Sequence, residues 1–223
     1  MAGAGQDALP TPRLPAAPAA GYGAVMREVL PGVWDWEAVH PKLGEPVHCH
    51  YLADSQTAID PLLPESGMEF FRERGVAGVV LANRHHARDA ARLAAAFGCP
   101  VLCSERGLHE FERHDLVVSG FAFGDEPAPG LVAYEVCPEW PDETALLVTG
   151  ARALVFADAI VSGEGEVRFV EDAWLGEEAE QEKEHLRRGL RRLLDLDFDH
   201  VLSGHGPPYV GGAKAALREF VGT

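Results

Sequence analysis

Residues 76–82 read VAGVVLA, seven positions in a row without a polar side chain. A strand with one wet face alternates; a continuous apolar run is buried on both faces and needs a layer above it and below it. Asn83, Arg84, His85 and His86 follow at once, so this buried strand ends abruptly in polar groups. Residues 89–97 then become Ala-rich and helical, and stop at Gly98, a residue suited to a left-handed cap. A buried strand, a polar loop and a covering helix form the repeating unit of a layered α/β domain.

The rest of the chain extends that pattern. Residues 47–52 and 56–59 read as a strand pair turning at Ala53, Asp54 and Ser55, with Asp60-Pro61 ending the second strand. Residues 66–74 predict a short helix with Ser66 as N-cap and Gly75 as its stop. Residues 100–104, 116–118, 131–136, 144–149, 153–156 and 200–203 predict further strands. Residues 177–196 form the clearest helix: Leu186, Leu190, Leu193 and Leu194 share a face, Glu177, Glu178 and Glu180 open it, and Arg191 and Arg192 close it. Residues 213–221 predict a last amphipathic helix.

Composition narrows the function classes. The 223 residues fit one domain with an Ala- and Pro-rich tail at 1–22, the domain running from 23 to 223. The formal charge is −16, from 19 basic and 35 acidic residues, a balance that repels phosphate backbones. The one dense basic cluster, Arg187, Arg188, Arg191 and Arg192, lies beside glutamates and reads as a helix end. Nucleic acid is therefore not an expected partner. Cys49, Cys99, Cys103 and Cys137 form no CxxC pair and read as reduced thiols. No apolar run reaches the ~18 residues of a membrane span, and the N-terminus lacks the order of a signal peptide, so the expected location is cytoplasmic.

Three places put polar groups directly after apolar strands, where scaffolds present chemistry. The first is the loop Asn83 to Asp89: His85 and His86, adjacent at a strand end, offer one inward and one outward imidazole, the commonest metal ligand near neutral pH. Solvated histidines before a helix capped by Asp89 fit the same residues. The second is Asp158, after residues 154–157 (LVFA); a carboxylate there is paired, metal-bound or a turn cap. The third is His205, between Gly204 and Gly206, where the backbone can approach a ligand or simply turn. His48 and His50 share a strand face on either side of Cys49 and are a remote ligand possibility.

Taken in order, these features resemble the metallo-β-lactamase superfamily. The resemblance rests on the strand at 47–52 (VHCHYL), TAIDP at 57–61, the strand, loop and helix at 79–97, PDETALLV at 141–148, LVFAD at 154–158 and VLSGHGPP at 201–208. It implies a four-layer αβ/βα sandwich with a site at one edge. Active members carry a His-x-His-x-Asp-His loop, a further histidine, a bridging aspartate and a late histidine. These hold one or two metal ions, usually zinc, that activate water against an ester, amide, thioester or phosphoester.

Carried onto this chain, Asn83 replaces the first histidine, His85 matches the second, Ala87 replaces the aspartate and Arg88 the last histidine. Glu139 or Trp140 stands where the next histidine belongs. Asp158 matches the bridging aspartate and His205 the late histidine. The resemblance thus implies at most one Zn (or Fe or Mn) ion on His85, Asp158 and His205, with Glu139 as a fourth ligand and Asp158 central to catalysis. Asn83, His86, Arg88 and Trp140 would contact the bound molecule, and Arg88 forbids a second ion or receives an anion. Two functions follow as expectations: a mononuclear metal-dependent hydrolase, or a non-catalytic relative, without metal, that binds a small anionic ligand or partner in the same cleft. A generic α/β protein with incidental histidines is the third.

Overall fold

The computed structural model describes residues 26–113, 115–163 and 165–222. The expected tail, 1–22, lies outside them. In chain order the strands and helices are β1 (Arg27–Leu30), β2 (Val33–Val39), β3 (Pro46–Leu52), β4 (Thr57–Ile59), α1 (Glu69–Arg74), β5 (Gly78–Leu81), α2 (Ala90–Phe97), β6 (Val101–Ser104), β7 (Ser119–Phe121), β8 (Leu131–Cys137), β9 (Trp140–Val148), β10 (Ala153–Phe156), β11 (Val161–Ser162), β12 (Val167–Arg168), α3 (Asp172–Leu175), α4 (Ala179–Leu193), β13 (His200–Ser203) and α5 (Ala213–Val221).

β1 to β7 form one sheet in sequence order; β13, β10, β9 and β8 form a second. The first sheet is antiparallel from β1 to β4 and parallel from β4 to β7. Strand alternation splits each sheet's side chains between two cores. Val33, Leu52, Ile59 and Val80 meet Leu131, Leu146, Val155 and Leu202 between the sheets. On the outer face of the first sheet, Tyr51, Val79 and Leu81 pack on Phe71 of α1 and Leu93 of α2. On the outer face of the second, Leu154, Phe156 and Val201 pack on Leu186 and Leu190 of α4 and Leu217 of α5. The result is four layers, αβ/βα, in which each fully buried large side chain contributes about 1.5–3 kcal/mol.

Most predicted elements recur with trimmed ends, and four differ. The strand placed at 116–118 is β7, at 119–121: Val117 is 86% exposed, while Phe121 is buried and supplies the anchor. Ser66 does not cap α1, whose N-cap is Met68. The long helix at 177–196 is α4 alone, over 179–193, with a separate α3 before it. β1 and β2 went unread because Asp35 and Glu37 interrupt the apolar pattern of β2.

Candidate metal centre

β4 runs parallel to β5, and β10 parallel to β13, so the chain leaves all four at one edge of the sandwich. Asp60 follows β4, Asn83 follows β5, Asp158 follows β10 and His205 follows β13. The Thr144 N–H donates to the Ala82 carbonyl at 2.9 Å, tying β9 of the second sheet to the end of β5. The four exits are therefore fixed relative to one another by backbone rather than by loops.

Asn83 decides which histidine enters the site. Its backbone is extended and its Oδ1 accepts the His85 N–H at 3.0 Å, starting a 3₁₀ turn at Arg84–Ala87. Successive side chains on such a turn point about 120° apart. His85 faces the cavity mouth, exposed, and His86 turns inward to 6% exposure. The imidazole placed with Asp158 and His205 is thus that of His86, not the expected His85. Asp158 Oδ1 lies 3.2 Å from His86 Nε2 and 3.0 Å from His205 Nε2. One ligand atom from each residue lies within 4.8 Å of the other two.

The remaining expected residues lie around this trio. Asn83 Nδ2 donates to Asp158 Oδ2 at 2.6 Å and to Glu143 Oε2 at 3.0 Å, holding the aspartate from behind. Glu139 lines the cavity but pairs with Arg188 at 2.6 Å, outside the trio, because that arginine projects from α4 beside it. Trp140 lines the same wall and donates Nε1–H to Glu182 at 2.7 Å. Arg88 sits at the cavity floor with a left-handed φ of 37°. Its Nη1 donates to the carbonyls of His48 and Asp60, both at 2.9 Å. The glycines flanking His205 permit close packing: a Cβ on Gly204 would lie 2.8 Å from His86 Cε1, and one on Gly206 would lie 1.9 Å from the Ser162 carbonyl.

Three contributors escaped the sequence reading. Asp60 ends β4 as expected and does more: its Oδ1 accepts the Ala82 N–H and its Oδ2 lies 2.8 Å from His86 Nδ1. Glu143, within residues 141–148, has a role of its own: its Oε1 accepts the N–H groups of Ala157, Asp158 and Ala159, fixing the turn that presents Asp158. Asp60 stands between apolar Ile59 and Pro61, whereas Glu143, between Asp142 and Thr144, carries no such local mark. His40, a lone turn histidine, lines the mouth and offered no such signal.

Charge shapes the site. Burial and Arg88 push the His86 pKa down, but Asp158 and Asp60 outweigh them and raise it to about 9. Burial would raise Asp158; His86 and His205 overcome it and hold the carboxyl well below its ordinary range. Burial, then repulsion by Asp158, raises Glu143 to about 8 against its hydrogen bonds. The trio opens onto a cavity of about 950 Å³, a volume that suits a small-molecule ligand.

The donor set fits a metal ion. Two atoms bound to one ion at roughly 2.1 Å stand roughly 3–3.5 Å apart, the spacing of Asp158 Oδ1 from both imidazoles. Asp60 behind His86 is the outer carboxylate that orients a ligating imidazole. His48 and His50 do not join: they face the sandwich interior, where His48 Nδ1 lies 2.9 Å and His50 Nδ1 3.4 Å from Asp35.

No protein-family model matches the sequence, and no curated protein matches it. Solved structures do. A metallo-β-lactamase from Pontibacter korlensis is similar at a TM-score of 0.65 and 16% identity, over 89% of this chain and 97% of that one. A metallo-β-lactamase family protein from Thermus thermophilus is similar at 0.63 and 16%, over 87% and 79%. A flavo di-iron protein mutant from Thermotoga maritima is similar at 0.62 and 12%, over 89% and 62%. Among the described residues no helix is long and apolar enough to cross a membrane. These likenesses, at 12–16% identity, show the fold: the chain has the metallo-β-lactamase fold.

Proposed function

We propose that this protein is a mononuclear metal-dependent hydrolase acting on an ester, thioester or phosphoester, with His86, Asp158 and His205 as the ligands. The carrying observation is that ligand atoms of these three residues lie within 4.8 Å of one another at the floor of an open cavity. Three protein ligands with a free position is the pattern of catalytic rather than structural zinc. One ion would supply Lewis acidity, polarising the substrate's carbonyl or phosphoryl oxygen and activating a water. Formal charge favours one ion over two. Arg88, a permanent cation whose Nη2 lies 3.4 Å from His86 Nε2, repels a second divalent ion beside the trio.

The chain's own groups have separate tasks. Asp158 Oδ1 lies between the two imidazoles and is the acceptor nearest the reacting centre. Asn83 and Glu143 keep that carboxylate from rotating away. Trp140 and Trp174 add apolar surface to the cavity wall, against which an organic substrate can pack.

Metal content tests this. The full chain purified without chelator, and after reloading with Zn, Fe or Mn, is expected to hold about one ion by mass spectrometry. His86→Ala, Asp158→Ala and His205→Ala should lose it and His85→Ala should keep it. Well under half an equivalent in the wild type after reloading would overturn the reading. A second reading has its own observation: Asp158 is already satisfied by His86, His205 and Asn83, so the cleft can stand as a metal-free binding site for a small anion. Metal-dependent turnover abolished by Asp158→Ala would rule that out.

A further inference from the structure

Arginines in this acidic chain generally find carboxylates. Arg84 pairs with Asp142, Arg106 with Glu135, Arg152 with Asp197, Arg187 with Glu184 and Arg188 with Glu139. Arg88 is different. No side-chain carboxylate lies within ion-pair distance of it among the described residues, although the chain carries 35 acidic residues. A part-buried guanidinium without a counter-ion is costly unless a ligand supplies one.

The guanidinium is held firmly on one side and open on the other. Nη1 is saturated by the His48 carbonyl at 2.9 Å, the Asp60 carbonyl at 2.9 Å and Cys49 Sγ at 3.4 Å. Nη2 has one contact, His86 Nε2 at 3.4 Å, and no described acceptor takes the Nε–H. Arg88 also lines the cavity, beside the trio. Its backbone has a left-handed φ of 37°, a conformation that costs a non-glycine residue on the order of 1–3 kcal/mol and that persists where surrounding contacts enforce it. A planar fork with its Nε–Nη2 edge unused matches two oxygens of an oxyanion.

We propose that Arg88 is an oxyanion-binding residue: its free Nε–Nη2 edge receives a phosphate or carboxylate group of the molecule bound in the cavity, next to His86. This rests on the cavity being the reaction site, and it adds the charge class of the substrate. The same edge is placed to meet negative charge that develops on a substrate oxygen during hydrolysis.

The test uses the full chain stripped of metal by chelator, titrated separately with inorganic phosphate and with acetate and followed by calorimetry and by the histidine ring signals in NMR. Binding of either anion, with movement of the His86 signals, is expected in the wild type; which anion binds identifies the class. Arg88→Lys keeps the charge and loses the fork, and should weaken binding about tenfold, the loss of one charge-assisted hydrogen bond. Arg88→Met should abolish it. Arg88→Met also strips two backbone carbonyls of their donor, so circular dichroism checks its fold and Arg88→Lys carries the test if it unfolds. Absence of binding for both anions at millimolar concentration, or equal binding by the wild type and Arg88→Lys, would overturn the proposal. Because no metal is present, the result is independent of the metal reading: a chain that never takes up an ion can still bind the anion through Arg88.

Discussion

His86 Nδ1 lies 2.8 Å from Asp60 Oδ2, on the opposite side of the ring from Asp158. Asp60 is itself immobile: its other oxygen accepts the Ala82 N–H at 2.8 Å and its backbone has a φ of 47°. With Nδ1–H donating to Asp60, Nε2 is left as the ligand atom. Asp60→Asn keeps the shape and loses the charge. It is expected to weaken metal binding about 10–100-fold with little change in fold. Chelator competition measures this, and an unchanged dissociation constant would remove Asp60 from the site.

The same ring links pH to stability. Its pKa is raised from 6.5 to about 9 in the folded chain. Between those values the folded chain holds a proton that the unfolded chain has released. The contribution of His86 is therefore complete below pH 6.5 and is lost as the pH rises to about 9. Glu143, raised from 4.5 to about 8, acts in the same direction over a lower window. The Tm of the chelator-treated chain should fall from pH 6.5 to 9, and His86→Gln should flatten that fall. A Tm that rises over this range in the wild type would contradict the assignment.

Metal uptake is coupled to the same protons. An imidazole must be neutral to ligate, so binding near pH 7.5 should expel the His86 proton. Calorimetry in two buffers of different ionisation enthalpy reads the release directly. About one proton per ion is expected in the wild type. If the observed enthalpy is the same in both buffers, His86 is not a ligand.

The order of strands, the cores and the edge where the site lies were legible because burial imposes patterns that survive divergence. Val79 and Leu81 face α1 and α2 while Val80 faces the other sheet, and an unbroken apolar run follows from that. Asp158 and His205 could be found because each follows such a strand. The choice between His85 and His86 was not legible. It depends on whether the backbone after Asn83 stays extended or tightens into a 3₁₀ turn, and that is settled by one side-chain bond, Asn83 Oδ1 to the His85 N–H. Asp60 and Glu143 were hidden for another reason: they act through partners 26 and 60 residues away, which no local pattern encodes.

Gly206 closes the His205 loop onto the β11–β12 hairpin. Its φ is +89°, and a Cβ there would overlap the Ser162 carbonyl at 1.9 Å. Neither side can yield, because Ser162 Oγ donates to the Pro207 carbonyl at 2.8 Å and pins the hairpin to the same loop. Gly206→Ala should cost about 2–4 kcal/mol and move His205 away from Asp158. Gly150→Ala, where nothing lies within 4 Å, is the control and should stay within about 0.5 kcal/mol of the wild type. Urea denaturation compares the two; equal midpoints would show that the loop has room to shift.

Asp35 is the hub of a second polar cluster, inside the sandwich. It is 1% exposed, and His48 Nδ1 at 2.9 Å, His50 Nδ1 at 3.4 Å and Arg27 at 3.3 Å converge on it. Burial alone would raise its pKa; His48 and His50 more than reverse that and hold it far below the usual carboxylate range. Its contribution is thus present above pH 3.8, its ordinary value, and fades as the pH falls below it. Asp35→Ala strands the buried His48 imidazole and removes the carboxylate nearest the buried His50, and should cost about 3–5 kcal/mol at pH 7, the penalty for removing one side of a buried pair. The gap between wild type and variant should narrow at pH 3, where the wild-type carboxylate no longer contributes in full. Urea midpoints at both pH values test it, and a loss under about 1 kcal/mol at pH 7 would mean that the two histidines find other partners.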